Sequence, residues 1–197
     1  MAKQLEIFDL FNQPDDIIIS EVFPNAESEE IEYKSAKGGF PVDFWKTYAA
    51  FANTSGGIIV LGVKEKKGQF HFDGLEGTQI EKYKKDFWNG VNNPSTISNN
   101  LLRNEDVKEY SIEGKNVLAF NIPPAERKQK PVYLTTNPFK NTYKRNYEGD
   151  YTCKDEEVRR MLADADLSFS PDNRILEGYT MQDIDIPSLQ QYRQLLA

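Results

Sequence analysis

Between Arg127 and Tyr147 the chain carries Arg127, Lys128, Lys130, Lys140, Lys144 and Arg145 without one acid among them. Tyr133, Phe139, Tyr143 and Tyr147 interleave with these cations. Cations attract phosphate and aromatic rings stack on unpaired bases, so the composition suits contact with single-stranded nucleic acid or RNA. The competing reading is a solvated edge hairpin whose aromatics belong to the core. Lys144 and Arg145 are adjacent, so on a strand only one of them can join a patch. The planar fork of Arg145 suits a bidentate phosphate contact. The expectation is a patch of Lys128, Lys130, Lys140 and Arg145, with Lys144 pointing elsewhere.

A second charged group precedes it. In Glu30-Ile31-Glu32-Tyr33-Lys34 polar and apolar residues alternate, so a strand here has one charged face and one packed face. Glu32 and Lys34 share the charged face and can pair. Nucleophilic chemistry has less support. Cys153 stands before a predicted helix, where a thiol pKa can fall, and His71 lies in Phe-His-Phe, but nothing pairs them. One cysteine and one histidine also argue against a zinc site and an internal disulfide.

These residues need elements to hold them. Phe44, Trp45, Tyr48, Phe51 and Ala52 recur at helical spacing over Val42 to Asn53, after Pro41, which suits a helix start. Gly56 and Gly57 end that helix, with φ > 0 open to both. The apolar strand Ile58 to Val63 follows, its β-branched start suiting burial on both faces. Lys64 to Gly68 reads as a polar turn and Gln69 to Phe72 as a returning strand. A helix is predicted over Ile80 to Val91, then a hairpin of Val107–Ile112 and Val117–Ile122. Strands over Val132–Thr135 and Thr142–Tyr147 follow. Thr152 and Asp155 form a capping box for a helix from Lys154 to Ala165 whose buried stripe is Val158, Met161, Leu162 and Ala165. Short elements are also expected at Ala2–Phe11 and Ile17–Ile19, a linker at Ser168–Asn173, and a closing helix begun by Pro187. The fold class is α+β, a single domain with a mixed sheet flanked by helices. The expected organisation is a lead-in over residues 1–19, the domain over 20–166, and a linker and helical tail over 167–197 that is expected to lead into a further region of a longer protein.

Glu27-Ser28, Glu32-Tyr33-Lys34 and the string Ala50-Phe-Ala-Asn-Thr-Ser-Gly-Gly-Ile-Ile-Val-Leu-Gly-Val63 resemble the Schlafen/AlbA-type domain, over roughly Ser20 to Ala165. That domain is described as DNA-binding, as divergent AAA, and as a RecG-related regulator. The resemblance implies a nucleic-acid-binding module, DNA-binding, in a transcriptional regulator. It also implies an alternative, since Schlafen ribonucleases cleave RNA with three acids and a metal. By motif position these are Glu27, Glu32 and Glu65, the third being Asp in those nucleases. Mg2+ or Mn2+ prefers such oxygen ligands and would be the cofactor; otherwise none is expected. Glu27 and Glu32 are five residues apart, so they converge only if Glu27 precedes the strand, and Glu30 is the fallback ligand. Asn53, Thr54, Gly56 and Gly57 belong to the family string, with roles in capping and turns.

The divergent-AAA label suggests ATP, yet no G-x-x-x-x-G-K-[ST] occurs. Gly56-Gly57 leads from a helix C-terminus into a strand, the reverse of a phosphate cradle, so ATP binding is disfavoured. The net charge of −7 excludes a wholly basic binder and would orient a polyanion toward any local positive patch. No apolar run reaches a membrane span and no signal-peptide order opens the chain, so a cytoplasmic protein with a nucleic-acid partner is expected. A ligand-sensing or homodimerising domain is the remaining reading.

Overall fold

A computed structural model describes residues 30–66, 69–112, 114–166 and 177–195. The predicted elements at Ala2–Phe11, Ile17–Ile19 and Ser168–Asn173 lie outside these residues, as does Glu27. The chain divides into two units, residues 1–165 and 166–197.

In the first unit a four-stranded sheet runs in the order β1 (Ile31–Lys34), β2 (Gly57–Leu61), β6 (Lys115–Ile122), β5 (Val107–Ile112). β1 and β2 are parallel and the other pairs antiparallel, so the sheet is mixed. Helix α1 (Phe44–Asn53) makes the crossover from β1 to β2, as a parallel pair requires. Its rings, with those of α2 (Gly77–Val91), meet Ile59, Leu61, Leu118, Phe120 and Ile122 on one sheet face. Phe44, Phe87 and Phe120 pack with centroids 4.8–5.8 Å apart. Ile31, Tyr33, Ile58, Val60, Val117 and Ala119 form a second buried cluster on the opposite face. The run from Ile58 to Leu61 is therefore buried on both sides, as its unbroken apolar sequence predicts.

The expected strand to Val63 ends earlier. Gly62, at φ 98°, breaks it, and the chain enters a second sheet of β3 (Val63–Lys66) and β4 (Gln69–Phe72). Lys64 to Lys66, predicted to start a polar turn, is thus strand, and residues 67–68 of that turn lie outside the described residues; a two-stranded ribbon tolerates charged side chains. Helix α2 begins three residues before the expected Ile80, where Gln79 accepts the Glu76 backbone N–H.

A third sheet pairs β7 (Tyr143–Asn146) with β8 (Gly149–Thr152). Val132–Thr135 is not a strand; it makes single bridges, Tyr133 to Thr142 and Leu134 to Ile97, and Thr135 turns away at φ 60°. Helix α3 (Asp155–Ala165) follows β8. Thr152 ends the strand instead of capping the helix; Lys154 N–H donates to Glu157 at 2.8 Å. Of the predicted α3 stripe only Val158 is fully buried, and Leu162 is exposed.

The second unit holds a short 3-10 turn, Met181–Asp183, capped by Thr180, and helix α4 (Ile186–Leu195) with Pro187 in its first turn. No helix among the described residues is long and apolar enough to cross a membrane.

Candidate functional site

The site residues converge where α1, β1 and the β7–β8 hairpin meet. Glu32 pairs with Ile59 in register, so it shares the sheet face of Ile59, beneath α1. The hairpin extends that covering layer, so the charged face of β1 is enclosed rather than solvated. Two-residue spacing in the turn between Asn146 and Gly149 puts Asp150 directly across from Arg145. Arg145 then reaches Glu32 Oε2 at 2.9 Å and donates from Nη1 to Asp150 Oδ1 at 3.0 Å. Its side chain is only 3% exposed, and its guanidinium stands 5.0 Å over the Phe51 ring.

The network continues on both sides. Lys34 Nζ donates to Glu32 Oε1 at 3.0 Å and to Asp43 Oδ2 at 2.6 Å. Thr47 Oγ1 donates to Asp150 Oδ2 at 2.8 Å. Burial works to lower the Lys34 pKa, but the bonds and charges of Asp43 and Glu32 outweigh it and hold the ammonium above its usual value. Three acids and two cations form one continuous chain, open to solvent at Asp43 and enclosed from Lys34 through Glu32 and Arg145 to Asp150.

This corrects the reading of Arg145. It is not an exposed phosphate contact but a buried countercharge, and Lys144, one residue earlier, is the one that faces outward. Lys130 is also committed: its ammonium donates to the Asn53 carbonyl at 2.8 Å, and burial lowers its pKa. Lys128 is exposed beside Glu126, and Arg127 beside Asp164. Lys144 pairs with Glu157, which raises the lysine pKa and lowers that of the acid. Lys140 is exposed, with no acidic partner among the described residues. The stretch without acids is therefore supplied with them from elsewhere in the fold. Near Lys140, Arg159 of α3 stands 5.6 Å over the Phe139 ring, a cation the sequence reading did not single out.

The acidic candidates separate. Both Glu32 oxygens are committed to cations. Glu30 is exposed just before β1, and its carbonyl accepts the Ile58 N–H at 2.7 Å. The backbone of Glu65 belongs to β3, in the second sheet. Among the described residues no three acidic, histidine or cysteine side chains gather as a metal would require. The donor set described does not fit Mg2+ or Mn2+. Cys153 is buried, and burial, with the Glu157 charge, pushes its thiol up to about 11, so it is protonated at neutral pH. His71 is exposed on β4, opposite Lys64.

The motif residues hold the fold. The Asn53 amide donates to the carbonyls of Val132 at 2.7 Å and Tyr143 at 2.8 Å, and accepts from Val132 N–H at 2.8 Å. Thr54 Oγ1 donates to the Ala50 carbonyl and accepts the Arg145 N–H at 2.9 Å. Gly56 has φ 84°, as a helix C-terminus favours. Gly57 has no left-handed φ; it is needed because a Cβ would lie 2.9 Å from both the Glu30 carbonyl and the Phe51 ring.

Asp43, Thr47 and Asp150 were not singled out from sequence. For Asp150 a signal existed: Asn146 and Gly149 flanking a two-residue turn set the register that brings it to Arg145.

Solved structures with similarity include the N-terminal domain of a RecG-related protein from Nitrosomonas europaea, at 25% identity and TM-score 0.48, covering 76% of this chain and 94% of that one. Another is the DIP2311 protein from Corynebacterium diphtheriae, at 18% identity and TM-score 0.46, covering 84% of this chain and 34% of that one. No curated protein sequence matches the chain. The family model described as Schlafen, AlbA_2 matches residues 27–154, well over half of the sequence. The chain belongs to the Schlafen/AlbA_2 family.

Proposed function

We propose that residues 30–165 form the nucleic-acid-binding module of a cytoplasmic, DNA-binding transcriptional regulator. The observation that carries the reading is the family match over residues 27–154. The geometry supports binding over hydrolysis, because Glu32 is neutralised by Lys34 and Arg145 and so is a poor metal ligand. Phosphate contacts fall to the exposed cations Lys140, Arg159 and Lys128, not to Arg145. Arg159 stands over the Phe139 ring, and Lys140 is the next residue along the chain.

The test is fluorescence anisotropy of the purified chain with tRNA, single-stranded DNA and duplex DNA, with and without Mn2+. Salt-dependent binding is expected, its slope falling by about one unit in Lys140→Ala. Absence of binding to all three nucleic acids would overturn the reading. So would Mn2+-stimulated RNA cleavage that disappears in Glu32→Gln.

A further inference from the structure

Among the described residues of the first unit, two aromatic rings are more than a third exposed: Tyr147 at 69% and Tyr151 at 56%. Both belong to the β7–β8 hairpin. The aromatics of the core show how this chain otherwise treats rings; Phe44, Tyr48, Phe51, Phe87 and Phe120 are fully buried. Leaving two rings in water forgoes the gain from burying apolar surface.

The hairpin also goes out of its way to present them. Tyr147 occupies the turn at φ 55°. That region disfavours a residue with a Cβ and is normally filled by Asn, Asp or Gly. No burial compensates at 69% exposure. Tyr151 projects from the face opposite Arg145 and Asp150, since neighbours along a strand alternate. Its ring edge rests on Gly149: a Cβ there would come within 2.6 Å of Cε2 and 2.8 Å of Cζ. The glycine thus makes room for the ring while more than half of the residue stays in solvent. Lys144 is directly across the ladder from Tyr151, its ammonium held by Glu157.

We infer that this outer face is a stacking platform for unpaired bases, with Tyr151 as its ring, Lys144 beside it and Tyr147 in the adjoining turn. The inference rests on the nucleic-acid reading above and names the class of strand within it. The charges nearby decide between single strand and duplex. Lys144 is offset by Glu157, so the face attracts phosphate weakly. A duplex offers mostly phosphate to such a surface, because its bases are stacked inside. An unpaired strand, DNA or RNA, offers base faces, which aromatic side chains bind with little dependence on sequence.

The experiment uses the full chain and fluorescein-labelled oligothymidylate, oligouridylate and a mixed-sequence DNA duplex of equal length, read by anisotropy across a salt series. Tighter binding of both single strands than of the duplex is expected. Tyr151→Ala should weaken single-strand binding on the order of ten-fold with the salt slope unchanged. Tyr151→Phe should retain binding. Gly149→Ala, which displaces the ring without removing it, should weaken binding while thermal melting confirms a folded protein. Preferential duplex binding, or single-strand binding unaltered by Tyr151→Ala, overturns the platform and leaves the nucleic-acid module standing. No binding of any of the three overturns both. Concentration-dependent self-association that Tyr151→Ala abolishes, with oligonucleotide binding unmoved, assigns the face to protein contact and overturns the platform.

Discussion

Arg145 and Lys144 are adjacent cations on one strand, yet the two faces of the hairpin use them in opposite ways. On the inner face Arg145 is enclosed by Glu32, Asp150 and the Phe51 ring, at 3% exposure. On the outer face Lys144 meets Glu157 with 40% of its side chain in solvent. The same charge is a structural requirement on one side and an adjustable surface feature on the other. A count of cations along a sequence cannot distinguish them, because the distinction lies in what the neighbouring layer brings to each face.

That contrast can be broken by mutation. Arg145→Ala should cost about 3–5 kcal/mol in urea unfolding, because it leaves Asp150 and one Glu32 oxygen enclosed without a countercharge. A cost below about 1 kcal/mol would place the inner pair in solvent and erase the difference between the faces. Phe51→Ala removes the ring under the guanidinium together with fully buried core volume, and should cost a similar 3–5 kcal/mol, roughly. Gly57→Ala tests the close approach beside that ring. A Cβ 2.9 Å from the Glu30 carbonyl forces β1 or Phe51 to shift, at about 1–3 kcal/mol.

The outer pair should register least. Lys144→Ala is expected to change stability by about 0–1 kcal/mol. Its pH signature is the sharper measurement. The hydrogen bond from Lys144, then the Lys154 N–H, holds the Glu157 carboxyl below its usual value. A depressed folded pKa contributes stability that is complete above the unfolded value, about 4.3 for Glu. That stability is lost as pH falls through the folded value. Tm recorded on acidification from neutral pH should therefore show a small loss in the native chain that Glu157→Gln lacks.

Much of the frame was legible because local pattern and burial agree there. The ring spacing from Phe44 to Phe51 and the unbroken run Ile58 to Leu61 each dictate an element and its buried side. The family string was legible too, and its polar members proved to be ties within the fold. The site was harder to read. Alternation in β1 correctly separates Glu32 and Lys34 from Ile31 and Tyr33, but it cannot reveal that a distant hairpin covers the charged face. Arg145 was misassigned for that reason, and Lys130 likewise, since its acceptor is a backbone carbonyl that sequence does not display. Lys64 to Lys66 read as a turn because a strand charged on both faces has no apolar period to reveal it.

Asn53 carries one further consequence. A primary amide has the same donor and acceptor as a peptide unit, so this side chain works as a one-residue strand laid between Val132 and Tyr143. No carboxylate can take that role, since it has no N–H to offer and would face two carbonyl oxygens. Deamidation makes that exchange, replacing an NH2 group by a charged oxygen. Losing that one nitrogen atom would break both donated bonds, and the fold guards it by burying the amide.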